Sequence, residues 1–544
     1  MNERRRMARA ASVMAALTVV SRVTGLVRDI VLGYLFGAGA AADAFFVAFR
    51  IPNLLRRLVG EGAATGAFVP VLTGYLTTGS RAEADRAARV LFGVMIVTLA
   101  LLTGIGMLVA TPLSMVFAPG FGAVPGKLEL TVSLTRMVFP YVFFIGLVAL
   151  AGGVLNALRS FAAPAMSPLV MNLTMIVAAP ALAPRFGIHG LAAAVVLAGA
   201  VQALSQWSAL SRLGVPLVPL WEPRHPAVGR VGRLMLPTIF GSAVYQVNVL
   251  VSTMFASLLP DGSVAYLWYA ERLFEFPLGV FAVAIGTAAL PSFAALAHRD
   301  HDELRETVGF ALRLVNLVAL PAAVGLAVTA APLTSVLFMR GEFSPADAQQ
   351  TSVAVLYYVV GLWSVAAVRV LVPAFYAIED TRTPVLTAAA AFVANLVFVV
   401  LLVGPLPATA EGTLGRALAA TTRLVSIADL QQGGLALATS LAATVNLALL
   451  CVALYRRIGD FGLAAWARST GRALFAASAM VPAVLAVTRQ VAWFDPAVPF
   501  AVRATWLGLA ILTGVAVCGA TLMVLGGSEV TALRKAVRRR TGRE

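Results

Sequence analysis

Charged residues are scarce in this chain, because Asp, Glu, Lys and Arg make up only 12% of its 544 residues, whereas soluble proteins carry about 25%. Hydrophobic residues make up 60% of the sequence, so a soluble fold would expose large apolar surfaces and aggregate. This composition excludes a disordered chain and an ordinary cytosolic enzyme. It predicts an integral membrane protein, for which the lipid bilayer is the solvent.

Cysteine and histidine are also scarce. The two cysteines, Cys451 and Cys518, lie far apart in apolar stretches, and the four histidines have no metal-ligand spacing. These features exclude a disulfide framework and a zinc motif, and the sequence contains no nucleotide-binding motif. We therefore expect no cofactor and no enzymatic activity. The net charge of +16 is spread between apolar blocks rather than gathered in a soluble domain, so it does not predict nucleic-acid binding.

Long apolar segments are abundant instead. A membrane-spanning helix needs about 20 mainly apolar residues, and fourteen such segments follow one another along the chain. The first resembles a signal peptide but lacks a clear cleavage site, so we expect it to be retained as a span. The fourteen predicted spans cover residues 11–35, 44–73, 90–116, 131–157, 164–184, 189–210, 232–258, 263–296, 309–331, 350–377, 384–404, 434–455, 473–488 and 499–526.

The basic residues between these spans are distributed unevenly. If the N-terminus lies inside, and the first five residues of each span are counted with the segment before it, the inner segments hold 26 Lys and Arg residues and the outer segments hold 7. An excess of positive charge marks the cytoplasmic side of a membrane protein. The bias therefore predicts that both termini are cytoplasmic and that the number of spans is even.

Two parts of the sequence resemble each other. Pro112 and Pro164 in the first half correspond to Pro332 and Pro384 in the second, each at an offset of 220 residues. Six spans separate the copies, so both have the same orientation, as in transporters built from parallel repeats. We predict an all-α membrane fold of two parallel six-helix lobes, residues 1–215 and 216–458, followed by residues 459–544 with two further helices and a basic cytoplasmic tail.

Four arginines, Arg22, Arg28, Arg56 and Arg272, lie about ten or more residues inside predicted spans. An Arg at mid-bilayer costs about 2.5–3.5 kcal/mol on insertion scales, so four of them facing lipid would cost on the order of 10–14 kcal/mol. We therefore expect them to face a hydrated cavity. Because the planar guanidinium group can bind two phosphate oxygens at once, they predict a transporter of a phosphate-bearing or otherwise anionic substrate.

Helical periodicity leaves part of this cavity undefined. Arg22 and Asp29 are seven residues apart and share a helix face. The second span carries a charged stripe, from which Arg56 would lie about 100° away. Pro52 can shift that register, so periodicity does not choose between Arg56 and Arg57. The stripe consists of Asp43, Arg50, Arg57 and Glu61.

Other interpretations of the arginines are open at this point. They could form buried ion pairs that hold helices together, such as Arg28 with Asp29 or Arg272 with Glu275. A cation exporter would need net acidic groups in the cavity, and a membrane glycosyltransferase would need carboxylates in a sizeable outer loop, where the first outer loop offers only Asp43. A non-transporting scaffold would tolerate Arg→Ala changes in mid-membrane.

Long ordered motifs resemble the MurJ (MviN) lipid II flippase family of the MOP superfamily. The matching strings are SRVTGLVRD, FGAGAAADAFFVAFRIPNLLRRLVGEGAATGAFVPVL, YAERLFEFPLGVFAVAIGTAALPSF and FYAIEDTRTPV. They occur in both predicted lobes, and the general resemblance covers nearly the whole chain. It implies fourteen helices around a central cavity that opens alternately to the two sides of the bacterial cytoplasmic membrane.

The resemblance also implies a substrate and a set of site residues. The substrate would be lipid II, the peptidoglycan precursor linked to undecaprenyl pyrophosphate, moved from the inner to the outer leaflet, with membrane lipids and the cell-wall synthesis machinery as partners. The alternative is another polyprenyl-pyrophosphate-linked glycan or another anionic substrate. The last two helices would form a groove for the polyprenyl tail. The implied substrate-binding residues are Arg22, Arg28, Arg56 and Arg272, and the implied acidic positions are Asp29, Asp43 and Glu61. Glu275 joins these gating or ion-pair positions because it could pair with Arg272.

One feature departs from the family pattern. Some members resemble a sodium-binding arrangement on the seventh and eleventh helices, where this chain has VNVLVSTMFAS and AAFVANLVFVV. Asn395 is present, but Val399 stands one turn later and Ser252 occupies another expected ligand position. Because neither stretch contains a carboxylate and a hard cation prefers several charged oxygens, sodium coupling is in doubt.

Overall fold

The computed structural model of this protein describes residues 3–57, 65–215, 218–279, 283–297, 299, 301–407, 412–527 and 531. These residues form α-helices and short connections, together with one 3₁₀ turn at Phe121–Ala123. The helices are α1 Glu3–Phe36, α2 Ala40–Arg56, α3 Thr65–Thr78, α4 Arg81–Leu108, α5 Ala110–Phe117, α6 Lys127–Val138, α7 Pro140–Ala157, α8 Ala162–Phe186, α9 Ile188–Arg212, α10 Pro226–Ser257, α11 Ser263–Pro277, α12 Val283–Ala297, α13 His301–Leu337, α14 Pro345–Val359, α15 Leu362–Ala377, α16 Arg382–Leu402, α17 Gly412–Val425, α18 Gln431–Ile458, α19 Leu463–Thr488 and α20 Phe500–Leu525.

The prediction of an all-α membrane fold is confirmed, because each of the fourteen predicted spans is helical over most of the residues that the structure describes. Within the described residues, nine helices are long and apolar enough to cross a membrane, or ten if α14 and α15, which meet at a bend of 45°, form one span. The second and eighth predicted spans each consist of two helices no longer than 17 residues. The count of fourteen spans therefore stays a prediction.

The helices group into two compact units. The first unit is Met1–Ala265 with Pro407–Ala417, and the second is Tyr266–Leu406 with Leu418–Glu544. The first unit includes α10, which packs against α3, α4 and α5, whereas the predicted lobes, defined by span order, begin the second half at residue 216. The lobe boundaries remain a prediction about the repeat.

Each unit buries its own apolar core. In the first unit, side chains of α3, α4 and α7 such as Phe68, Phe92 and Leu155 are almost fully buried together. In the second unit, Phe375 of α15 and Leu450 of α18 belong to a core that α13 also lines. A smaller cluster joins α19 to α20 through the buried residues Ala476, Met480, Val484, Ala510 and Cys518.

The internal repeat extends to the backbone. Arg159 and Glu379, which are 220 residues apart, adopt φ angles of 60° and 59°, a left-handed conformation that non-glycine residues rarely occupy. In both copies the next residue donates a backbone hydrogen bond five residues back, over 2.8 Å from Ser160 to Leu155 and 2.9 Å from Asp380 to Phe375. The same turn therefore ends α7 and α15, although the side chains in it differ.

A polar cluster lies inside the second unit. The side-chain oxygen of Asn316 on α13 accepts hydrogen bonds from the indole N–H groups of Trp363 at 2.7 Å and Trp466 at 3.3 Å. Its amide nitrogen donates to the hydroxyl of Thr470 at 2.9 Å, and the side chain is fully buried. Asn316 therefore ties α19, the first of the two helices beyond the predicted lobes, to α13 and α15.

Replacing Asn316 with Leu should destabilise the protein by about 1–3 kcal/mol, because buried donors on Trp363 and Thr470 would lose their acceptor or partner. Thermal unfolding of the purified chain in detergent would measure the change. Asn446→Leu on α18 is the matched control, since Asn446 makes no side-chain hydrogen bond to a described residue, and it should change stability less. Equal effects of the two substitutions would contradict the assignment.

The turn before α16 carries a carboxylate with several donors. Asp380 accepts hydrogen bonds from the hydroxyl of Thr383 at 2.7 Å and from the backbone N–H groups of Thr383 and Arg382 at 3.0 and 3.2 Å. Arg457 lies 3.3 Å away. The two hydrogen bonds from Thr383, aided by Arg457, hold the pKa of Asp380 below its ordinary value of 3.8. The ionised carboxylate therefore stabilises the start of α16.

Because the folded-state pKa of Asp380 is depressed, its stabilising contribution is present above pH 3.8 and is lost as the pH falls through the folded-state value. Asp380→Asn keeps an acceptor but does not titrate. Unfolding temperatures measured from about pH 3 to about pH 7 should fall less steeply with acid in this variant than in the wild type. Identical acid profiles would contradict the role given to the carboxylate.

Candidate functional site

Arg28 lies in α1 with its counter-ion beside it. Its Nη2 and Nε atoms donate to Oδ1 of Asp29 at 2.8 and 3.0 Å, and its Nη1 donates to Asn172 of α8 at 3.0 Å. The amide of Asn172 in turn donates to the backbone carbonyl of Ser21 at 2.9 Å. Asp29 is fully buried, whereas the Arg28 side chain keeps 12% of its surface exposed. Arg28 therefore forms the ion pair that one interpretation of the sequence predicted.

Arg22 lies less than two turns earlier on α1. The residue is half-buried, and its Nε atom is buried without a hydrogen-bond partner in the described part of the chain. Periodicity put Arg22 on the same helix face as Asp29, but Oδ1 of Asp29 is occupied by the adjacent Arg28. Of the two candidate arginines on α1, Arg28 therefore has a carboxylate partner, whereas the described residues provide no hydrogen-bond partner for Nε of Arg22.

The arginines of α2 have different surroundings. Arg56 is half-buried, and its Nε atom donates to Oδ1 of Asn53 at 2.8 Å. Arg50, which is 9% exposed, donates to the hydroxyl of Thr253 on α10 at 2.5 Å. The Thr253 hydroxyl carries no charge, so this contact does not balance the positive charge of Arg50. The structure thus holds Arg50 inside the first unit, and it leaves the choice between Arg56 and Arg57 as a prediction.

Arg272 on α11 belongs to the second unit. Its Nη1 atom lies 3.0 Å from Oε2 of Glu275, one helical turn later, with 22% and 29% of the two side chains exposed. The guanidinium group also packs 4.6 Å from the centre of the Trp268 ring. The pair with Glu275 is the second ion pair that the sequence allowed. Both side chains therefore remain partly exposed at the surface of the unit.

Asp43 at the start of α2 is the centre of a buried network in the first unit. Its Oδ2 atom lies 2.9 Å from Nζ of Lys127, the first residue of α6, and accepts a hydrogen bond from the backbone N–H of Gly262 at 2.7 Å. Its Oδ1 atom accepts the N–H of Ala265 at 2.9 Å. Lys127 also reaches Asp261 at 2.6 Å. Asp43 therefore caps the first turn of α11 from a different helix.

Sequence analysis assigned no role to two residues of these networks. Lys127 counted only as a charge in an outer segment, although it is 4% exposed and lies 4.1 Å from the centre of the Phe121 ring. Asn172 is a polar residue in the middle of the fifth predicted span, and that position was a usable signal, because polar side chains inside a membrane usually have a partner.

The remaining candidates are placed less fully. Glu61 lies outside the described residues. Asn395 and Val399 on α16 are fully buried and Ser252 is half-buried, and no group of three or more His, Cys, Asp or Glu side chains gathers for a metal within the described residues. Arg22, Arg28 and Arg56 belong to the first unit and Arg272 to the second. A common cavity for all four arginines stays a prediction.

Replacing Lys127 with Met should destabilise the protein by about 3–5 kcal/mol, because it leaves the buried carboxylate of Asp43 without a counter-ion. Detergent unfolding temperatures would report the change. The double variant Asp43→Asn/Lys127→Met should lose less than the sum of the single losses, because the two residues interact directly. Arg86→Ala is the control, since Arg86 forms an exposed pair with Glu222. Additive losses would contradict the coupling.

Solved structures first show which fold this chain shares. The chain matches a structure described as lipid II flippase MurJ in an inward closed conformation, with a TM-score of 0.73, 21% identity and coverage of 94% of this chain and 98% of that one. It also matches an inward-facing multidrug resistance MATE family transporter of the MOP superfamily, with a TM-score of 0.62, 16% identity and coverage of 83% and 98%. The fold is that of MOP-superfamily membrane transporters.

Sequence comparison then gives the family. Probable lipid II flippase MurJ of Vibrio cholerae is 42% identical over 404 residues, which are 72% of this chain and 77% of that protein. The protein of the same description from Haemophilus influenzae is 34% identical over 530 residues, which are 94% and 98% of the two chains. The family profile described as lipid II flippase MurJ matches residues 32–501. The chain therefore belongs to the lipid II flippase MurJ family, a family of transporters rather than enzymes, and the predicted resemblance is confirmed.

Proposed function

We propose that this chain moves lipid II from the inner to the outer leaflet of the bacterial cytoplasmic membrane by alternating access through a cationic cavity. The observation that carries the proposal is the family match over residues 32–501. The arginines within predicted spans, of which Arg28 and Arg272 form ion pairs, agree with a pyrophosphate-linked substrate, because guanidinium groups bind phosphate oxygens in pairs. The family membership does not favour the alternative, another polyprenyl-pyrophosphate-linked glycan or another anionic substrate.

In this proposal Arg22, Arg28, Arg56 and Arg272 bind the pyrophosphate. The ion pairs with Asp29 and Glu275 support different roles for the two residue types, in which the arginine binds the substrate and the acid is its partner in the empty site. While the site is empty, each carboxylate compensates its arginine, which lowers the cost of holding the charge in the membrane. When the pyrophosphate arrives, it replaces the carboxylate as the partner. The exposed fractions of Arg28 and Arg272, 12% and 22%, leave both guanidinium groups within reach of an anion.

We assign gating to the acidic residues Asp43 and Glu61. Asp43 joins α2 and α6 to the first turn of α11 through Lys127, Gly262 and Ala265, and a change of access on this side must break or carry along these bonds. Glu61 completes the gating set by resemblance. The two carboxylates would then act at different points of the second predicted span.

The remaining assignments concern the membrane. We propose that both termini are cytoplasmic, that residues 1–215 and 216–458 form the two lobes, and that α19 and α20 hold the polyprenyl tail. Side chains such as Phe475 of α19 and Leu512 of α20, which are 63% and 69% exposed, provide an apolar surface for that tail. Membrane lipids and the cell-wall synthesis machinery are the proposed partners.

The test is complementation of a bacterium depleted of its own lipid II flippase. The wild type should restore growth, whereas Arg28→Ala, Arg56→Ala and Arg272→Ala should fail at equal membrane levels. Each loses charge-assisted hydrogen bonds worth about 1.5–3 kcal/mol, or roughly a 10- to 150-fold change in binding. The control is Arg86→Ala, which removes an arginine with 61% of its side chain exposed and should restore growth.

The outcomes separate the parts of the proposal. A wild type that reaches the membrane but does not restore growth would favour a different lipid-linked substrate. Growth with every arginine variant would keep the flippase function and contradict the role given to these arginines. Failure of Arg86→Ala as well would point to misfolding, which the unfolding temperatures of the purified variants would check.

A further inference from the structure

Two arginines approach each other in the second unit, away from the arginines discussed above. Arg340 follows the end of α13, and its guanidinium group lies 4.6 Å from the centre of the Phe500 ring, at the start of α20. Arg503 lies one turn further along α20, and its Nη1 atom approaches Sδ of Met339 at 3.5 Å. Because Met339 directly precedes Arg340, the two guanidinium groups occupy the same corner between α13 and α20.

Neither arginine has an anionic partner among the described residues. Arg503 is only 6% exposed, yet its Nη1 atom donates to the neutral hydroxyl of Ser335 at 3.0 Å. Its Nε atom is buried and has no hydrogen-bond partner in the described part of the chain. The acids nearest in sequence, Glu342 and Asp495, are exposed. A buried guanidinium group with an unused donor and no counter-ion is costly to keep.

The two positive charges also affect each other. Burial lowers the pKa of Arg340, and the neighbouring charge of Arg503 lowers it further. An anion bound between the two groups would remove both penalties, since it supplies oxygen acceptors and negative charge at once. Phosphate fits this arrangement better than a single carboxylate, because its several oxygens can accept from two guanidinium groups at the same time.

The surroundings of this corner resemble a membrane interface. Phe500, Leu512 and Val515 of α20 are 50%, 69% and 68% exposed, so an apolar surface runs along the helix from its first residue. Trp493 and Trp506 belong to the apolar cluster beside the arginines, and tryptophan is enriched at the level of lipid headgroups. An anion with long apolar chains would therefore fit both the arginines and α20.

We propose that Arg340 and Arg503 form a binding site for the phosphate group of a lipid whose chains lie along the exposed apolar face of α20. The ligand is defined by its chemistry, a phosphate or pyrophosphate ester on an apolar chain, which either a resident phospholipid or the transported polyprenyl lipid could supply. The site does not depend on the proposed flippase activity. With both termini in the cytoplasm, it would lie at the outer leaflet.

The test measures lipid binding by native mass spectrometry of the full chain in detergent. All proteins carry Arg28→Ala and Arg272→Ala, so that the arginines proposed to bind substrate contribute less. The probes are phosphatidic acid, diacylglycerol with the same chains, undecaprenyl pyrophosphate and inorganic phosphate. We expect phosphatidic acid or undecaprenyl pyrophosphate to bind at least tenfold more tightly than diacylglycerol. Arg340→Gln and Arg503→Gln should each reduce that binding about tenfold, the loss of about 1.4 kcal/mol.

Arg489→Gln is the matched control, because Arg489 is an exposed arginine directly after α19, on the same side of the predicted membrane. It removes the same charge and should change binding less than twofold. Should Arg503→Gln lower the unfolding temperature strongly, Arg503→Lys and Arg340→Gln replace it. Lysine keeps the positive charge but lacks the planar guanidinium group that can donate to two phosphate oxygens at once. Arg503→Lys should therefore weaken binding less than Arg503→Gln and more than Arg489→Gln.

Tighter binding of phosphatidic acid would identify a resident phospholipid as the source of the phosphate, and tighter binding of undecaprenyl pyrophosphate would identify the transported lipid. Either result supports the site. Equal binding of diacylglycerol, binding of inorganic phosphate alone, or an equal loss with Arg489→Gln would overturn it. Because binding is measured directly, failure of the wild type in complementation together with lipid binding by the Arg28→Ala/Arg272→Ala protein here would contradict only the proposed function.

Discussion

A positive charge inside an apolar protein must be compensated, and that requirement governs most of the polar structure in this chain. A carboxylate, a neutral oxygen or an aromatic ring can each do so, but they leave the guanidinium group in different states. Arg28 is paired with Asp29, whose carboxylate balances its charge. Among the described residues, Arg503 donates only to the neutral Ser335 and Met339, and its Nε donor is unused. The type of partner therefore separates arginines whose positive charge is balanced by a carboxylate from arginines whose positive charge has no such balance among the described residues.

The helices themselves follow from composition and could be predicted closely. Twenty apolar residues in a row leave little alternative to helix in a bilayer, since every backbone group needs an internal partner. The repeat was also visible in the sequence, because prolines in the first half recur in the second half at a constant offset of 220 residues. The shared left-handed turn at Arg159 and Glu379 was not predictable, since neither residue is a glycine and one is basic where the other is acidic.

The partners of the charged residues were harder to infer than their positions. Pairs within one helix, such as Arg272 with Glu275, follow from helical spacing and were anticipated. The partners of Asp43 come from α6 and from the residues that begin α11, 84 or more positions away. Spacing carries no information over such distances. Lys127 therefore looked like an ordinary loop charge, although it is among the most buried charges of the first unit.

The adjacency of Arg28 and Asp29 has a consequence for biogenesis. During synthesis α1 reaches the bilayer before α8 exists, so Arg28 would lack its partner Asn172 at the moment of insertion. With the carboxylate on the next residue, the dipeptide enters as a pair of zero net charge, and the hydrogen bond to Asn172 can form later, when α8 arrives. The order of the two residues along the chain thus suits the order in which the helices appear.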